Sequence, residues 1–203
     1  RAARGPSGPG AQPHRPEHAA GGRETTPPAD RATAEDIERI RANLPVELLE
    51  QHRWVGWDGT RRPDGKLDKT PLNARTDGKA MSNASSTWAS FDKAAHYAMQ
   101  TERVGGVGIM LTGGPWIGID LDHVIDAATR QLAPGARDLI EQLSPTYTEV
   151  SPSGDGLHLW LRGKLPAGWR KQIDDAFGPG TKLEVYSGTD ARYFTITGNA
   201  WKA

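Results

Sequence analysis

Two aspartates spaced two residues apart, a histidine behind a small-residue turn and a single glutamate are the side chains with the most chemistry to offer in this sequence. The aspartates lie in the run Trp116-Ile117-Gly118-Ile119-Asp120-Leu121-Asp122. Strand side chains alternate between faces. Ile117, Ile119 and Leu121 would therefore share a buried face and Asp120 and Asp122 the opposite one, with Cα atoms roughly 6.5–7 Å apart. Two carboxylates side by side repel each other at neutral pH unless a cation neutralises them, and hard oxygen donors on one face suit Mg²⁺ or Mn²⁺. A bare Asp-x-Asp ordinarily means no more than two exposed acids at a strand end, so the pair needs further residues to make a site.

Those residues follow in two later runs. In Ser151-Pro152-Ser153-Gly154-Asp155-Gly156-Leu157-His158-Leu159-Trp160, His158 alternates with leucines and faces away from them. The turn through Ser153 and Gly154 lets backbone N–H groups approach an anion closely, and His158 could donate to the same phosphate. In Lys182-Leu183-Glu184-Val185-Tyr186, Glu184 lies opposite Leu183 and Val185, and Arg192 starts the next strand within reach of a phosphate or a carboxylate. Three acids and one histidine on comparable strand faces suit two divalent ions and an in-line phosphoryl or nucleotidyl transfer. The same carboxylates could instead activate water in a metal-dependent nuclease or phosphohydrolase. A non-catalytic nucleic-acid-binding module of a replication protein is the third class.

The elements that must position these residues are legible as patterns. Thr33 with Asp36 predicts a capped helix to Asn43, and Pro45 to Gln51 a further helical turn. Trp54, Val55 and Trp57 read as a strand, and Arg61 to Leu67 as a turn. A helix is expected from Ser85 or Ser86 to about Gln100, with others near Pro134 to Leu143 and Gly168 to Phe177. Three β-hairpins are expected: Gly106–Leu111 with Trp116–Leu121, Thr146–Val150 with Leu157–Leu161, and Leu183–Tyr186 with Tyr193–Thr197. Hairpins interleaved with helices predict an α+β fold with a mainly antiparallel sheet, one face covered by helices and the other free for chemistry. Trp54, Trp57 and Trp88 belong to the core. Trp160 and Tyr186 would share the face of His158 and Glu184, where a base could stack on them. Arg61, Arg62, Lys66 and Lys69 form either a patch for a template strand or an ordinary solvated turn.

Composition narrows the classes. The 203 residues carry 25 basic and 25 acidic side chains, so binding to a polyanion must come from a local patch and should weaken with salt. The absence of cysteine excludes a disulfide framework, a thiolate zinc site and a cysteine nucleophile. No apolar run approaches the ~20 residues of a membrane span, and the N-terminus lacks the apolar core of a secretory signal, so a soluble, cytoplasmic protein without a membrane partner is expected. Residues 1–31, rich in Gly, Pro and Arg, are expected to form a disordered tail ahead of a catalytic domain at 32–203.

The order of these motifs (Ile-Asp-Leu-Asp, then Ser-x-x-Gly-x-His, then Leu-Glu-Val-Tyr with a downstream Arg-Tyr-Phe-Thr-Ile-Thr-Gly) resembles the archaeo-eukaryotic primase superfamily. The nearest likeness is to the primase-polymerase domains of phage and plasmid replication proteins. The stretches Arg53–Trp57, Lys69–Pro71 and Thr87–Phe91 resemble the lead-in of those domains, and the likeness spans roughly residues 44–199. It implies an RRM-like catalytic sheet packed on an N-terminal α/β module. It also implies Asp120, Asp122 and Glu184 as ligands of Mg²⁺ or Mn²⁺, and His158 on the triphosphate of an incoming nucleotide, helped by Ser153 and Gly154. Arg192 and Lys69 would contact phosphate or template, or form structural ion pairs. The implied partners are a single-stranded DNA template, nucleoside triphosphates, and a helicase or C-terminal helical accessory domain. Because Ala203 follows the third motif so closely, primer extension is expected ahead of priming without a primer.

Overall fold

The structure, a computed structural model, describes residues 30–202. The expected tail lies outside the described residues except for its last two, and these are already anchored. Asp30 N–H donates to the Gly59 carbonyl and the Arg31 guanidinium to the Met99 carbonyl.

Helix α1 (Ala34–Asn43) starts at the expected capping box, in which Thr33 and Asp36 satisfy each other's backbone N–H. It buries Ile37 and Ile40, and α2 (Val46–Leu49) is the short turn after it. Strands β1 (Trp54–Asp58), β2 (Pro71–Leu72), β3 (Val104–Met110) and β9 (Tyr193–Ile196) form a four-stranded sheet in the order β2-β1-β3-β9. Helix α3 (Phe91–Gln100) packs on it through Phe91, Ala94, Ala95 and Ala98. A second, five-stranded sheet holds β4 (Trp116–Asp122), β5 (Tyr147–Val150), β6 (Leu157–Arg162), β7 (Gln172–Asp174) and β8 (Lys182–Ser187) in the order β5-β6-β4-β8-β7. Every ladder is antiparallel, which makes the fold α+β. Helix α4 (Pro134–Gln142) covers one face of the second sheet, its Ala136 and Ile140 packing with Ile119, Leu121, Leu157, Leu159 and Val185. Among the described residues no helix is long and apolar enough to cross a membrane.

Only the middle expected hairpin, β5 with β6, forms as read. β3 and β4 belong to different sheets, and so do β8 and β9. Their connecting turns redirect the chain between the sheets, and the two crossings lean on each other. Gly113 N–H donates to the Gly188 carbonyl at 2.6 Å, and Leu111 N–H to the Arg192 carbonyl at 3.0 Å. A Cβ on Gly188 would lie 2.1 Å from the Gly114 oxygen, so this crossing needs glycine. The four-stranded sheet is consequently not a purely N-terminal module, because its last strand, β9, comes from near the end of the chain.

Two helix expectations also change. Ser85–Thr87 is a single 3₁₀ turn, and Ala89 is then drawn into an extended bridge with Trp54, so α3 starts afresh under a Ser90 cap. The segment expected as a helix at Gly168–Phe177 instead carries β7. Left-handed backbone at Gly168, Asp175 and Gly178 brackets it, and β8 gains a ladder partner that a helix could not supply.

Candidate active site

Register assembles the site. Across the five-stranded sheet Glu149 of β5 stands opposite His158 of β6, His158 opposite Asp120 of β4, Asp120 opposite Glu184 of β8, and Glu184 opposite Gln172 of β7. One polar row thus crosses all five strands on one face. Glu149 is fully buried, His158 nearly so, Asp120 and Glu184 partly buried, and Gln172 exposed. The face is not open. β9 of the other sheet packs over it, with the Phe194 ring edge-on to His158 and Trp160 at centroid distances of 5.4 and 5.3 Å. Trp160 is buried by this contact, which removes it as a stacking platform. Tyr186 is buried as well, and the Arg192 guanidinium lies over its ring at 4.4 Å.

Between the sheets lies a pocket of about 230 Å³ whose lining includes Lys69, Asp120, His158, Glu184, Tyr186 and Arg192. A groove of about 530 Å³ adjoins it at Lys69 and runs past Arg61, Arg62, Lys66, Asp122 and Ser153. The site residues expected from sequence therefore fall into two adjoining spaces, with Lys69 lining both. Gly154 (φ 82°) forms the open turn beyond the groove, and its carbonyl accepts from Arg130 at 2.8 Å.

Carboxylate oxygens of Asp120, Asp122 and Glu184 lie within 4.8 Å of one another. Their partners are unequal. Glu184 accepts from Lys182 Nζ at 2.8 Å and from the Tyr186 hydroxyl at 3.1 Å, and that hydroxyl in turn accepts from Arg192 at 2.9 Å. Asp120 Oδ1 is buried without a hydrogen-bond partner; His158 Nε2 lies 3.7 Å from it. Burial raises the Asp120 carboxyl above its ordinary value, His158 and Lys69 oppose the rise, and the charges of Asp122 and Glu184 add to it. A buried oxygen without a donor, among acids that repel it, is what a hard divalent cation would relieve. For His158 burial disfavours the charged ring, but the hydrogen bond to Glu149 and the charges of Asp120 and Glu149 outweigh it and raise its pKa.

Two residues escaped the sequence reading. Strand alternation turns His123 away from the aspartates, yet its left-handed backbone (φ 56°) brings it into the groove with Asp122, where Nδ1 lies 2.6 Å from Asp155 Oδ2. Burial works against the Asp155 charge, but the Ser153 hydroxyl and His123 hold its pKa down. Glu149 is the other. The turn between Val150 and Leu157 fixes it opposite His158, so its place could have been counted from the expected hairpin.

The family model for the N-terminal domain of bifunctional DNA primase/polymerase matches residues 40–198. The DNA primase-polymerase of Nitratiruptor phage NrS-1 is 38% identical over 150 residues, which are 73% of this chain and 19% of that protein. The chain thus spans about a fifth of the length of the curated relative it matches. The matched segment runs from α1 through β9 and contains the whole polar row. The chain belongs to the bifunctional DNA primase/polymerase family.

Proposed function

We propose that this chain catalyses template-directed nucleotidyl transfer in DNA replication, making or extending primers on single-stranded DNA from nucleoside triphosphates. The observation that carries this reading is the convergence of Asp120, Asp122 and Glu184 beside His158, with one Asp120 oxygen lacking a donor. The three carboxylates would hold Mg²⁺ or Mn²⁺. Bound there, the ions would lower the pKa of the primer 3′-hydroxyl and neutralise the leaving pyrophosphate. The primer 3′-oxygen attacks the α-phosphorus, its proton passes to solvent water, and the bond from that phosphorus to the oxygen bridging to the β-phosphorus breaks, releasing pyrophosphate.

The protein residues divide the remaining work. His158 contacts the triphosphate from the floor of the pocket, and Arg192 and Lys69 supply fixed positive charge at its wall. The pocket alone is smaller than the ~300 Å³ at which ligand sites usually begin, so the nucleotide would also use the groove. There Ser153, Gly154 and the basic turn from Arg61 to Lys66 would meet phosphates of the nucleotide or template. Residues 32–203 would act as one catalytic domain, because β9 completes the first sheet while covering the site on the second. A helicase or helical accessory domain would be its partner, and the cytoplasm its setting.

The test is extension of a labelled primer on a single-stranded template with Mg²⁺ or Mn²⁺ and either dNTPs or NTPs, beside Asp120→Ala with Asp122→Ala. Metal-dependent extension that vanishes in the double variant is expected, and the preferred pool identifies the sugar. Primer shortening without nucleotides would instead establish a nuclease.

A further inference from the structure

Glu149 is a fully buried carboxylate for which the proposed chemistry has no direct use. It sits on the edge strand of its sheet, where burial is unusual for an acid. The segment after β9 covers it: Val150 N–H donates to the Asn199 carbonyl, Trp201 N–H to the Thr148 carbonyl, and the Thr197 hydroxyl to the Val150 carbonyl. Every hydrogen-bond partner of Glu149 other than the histidine is an unambiguous donor. Oε2 accepts from the Tyr147 hydroxyl at 2.9 Å and from the backbone N–H groups of Thr197 and Gly198 at 3.2 and 2.9 Å. Oε1 remains for His158 Nδ1, at 3.3 Å.

Those backbone donors cannot move freely. The Thr197 carbonyl accepts from Arg39 and the Gly198 carbonyl from Asn43, so α1 clamps the same peptides from outside. Gly198 is left-handed (φ 68°), and a Cβ there would lie 2.7 Å from the backbone of Ile40.

We propose that Glu149 is the positioning residue of His158, holding the ring through an Nδ1–H hydrogen bond so that Nε2 is turned into the pocket beside Asp120. A carboxylate saturated with donors can only accept from the ring, so Nδ1 carries a proton whatever Nε2 carries. Helix α1 and the 197–198 peptide thereby act on the site through Glu149 without touching substrate.

The experiment is long-range ¹H–¹⁵N NMR on protein labelled with [¹⁵N]histidine, His158 being assigned by loss of its signals in His158→Asn. At a pH where the ring is neutral, the wild type should carry its proton on Nδ1; a proton on Nε2 overturns the proposal without any further variant. In Glu149→Gln the amide oxygen should turn to the Thr197 and Gly198 N–H groups and leave its NH₂ facing Nδ1, so that the proton moves to Nε2. An unchanged tautomer in a folded Glu149→Gln protein also overturns the proposal.

Discussion

Gly118 and Phe194 set the spacing between the two sheets: a Cβ on Gly118 would come within 2.9 Å of the Phe194 ring. The same ring meets His158 and Trp160 edge-on. The height of the pocket over Asp120 is therefore fixed at a position with no side chain, two residues before the aspartate. Gly118→Ala should force Phe194 aside and cost about 1–3 kcal/mol, the usual range for overpacking. Urea unfolding of Gly118→Ala, alone and with Phe194→Leu, checks this. The smaller partner should restore part of the loss. Full stability in the single variant would mean that the ring moves aside freely.

Metal should act on stability through Asp120. Burial, with the charges of Asp122 and Glu184, makes the ionised Asp120 costly when no cation is bound. A cation at 100 times its Kd would add about 2.7 kcal/mol to the wild type. Asp120→Asn removes the repelling charge and one ligand oxygen. Metal-free, it should be no less stable than the wild type, and it should lose the upward Tm shift on adding Mn²⁺. Thermal melts with EDTA and with Mn²⁺ measure both. An equal Mn²⁺ shift in the two proteins would remove Asp120 from the ligand set.

The site was more legible in the sequence than the sheet that covers it. Alternation in Trp116–Asp122 and Leu157–Leu161 assigns Asp120 and His158 to a common face because period two is a local property of the backbone. The β5–β6 turn is local too, and it formed as read. What failed depended on distant partners. Thr112–Pro115 and Ser187–Asp190 carry good turn residues, but the turns bond to each other across the molecule, and no local pattern encodes that. Trp160 lies on the face that alternation predicts, yet Phe194, over thirty residues later, decides that it is buried. His123 shows the reverse failure, since one left-handed residue cancels the alternation that governs its neighbours.

Lys69 is held in the left-handed region at φ 58°, and its N–H donates to the Asp58 carbonyl at 2.9 Å. An L-residue there costs about 1–2 kcal/mol relative to glycine. Its ammonium is the one lysine charge lining both the pocket and the groove. Backbone and charge can be separated. Lys69→Gly should be more stable than Lys69→Ala by about 1 kcal/mol. Both should raise KM for the nucleotide by a similar factor. Paired denaturation curves and steady-state kinetics read the two effects. A KM that recovers in the glycine variant would show that the loop conformation, and not the charge, serves the nucleotide.

The loop that delivers Lys69 is clasped by Asp58, which yields a pH dependence with a definite sign. The Asp58 backbone bonds to Lys69 and Thr70, while its carboxylate accepts from Thr60 N–H and from Arg103, each at 2.9 Å. Burial pushes the carboxyl up, but the Thr60 and Arg103 hydrogen bonds outweigh it and hold the pKa below the ordinary 3.8. Between the depressed folded value and 3.8 the unfolded chain binds more protons than the native one, so stability rises with pH in that window. The contribution is complete above 3.8 and is lost as pH falls through the folded value. Asp36, Asp155 and Asp190 are depressed too, so the total acid sensitivity is shared. The difference between wild type and Asp58→Asn isolates one group. Urea unfolding from about pH 6 to about pH 2 should show a constant gap that narrows only below 3.8. A gap that stays constant to the lowest pH would mean that the clasp works through neutral hydrogen bonds, and that the charge on Asp58 contributes nothing to holding Lys69 over the site.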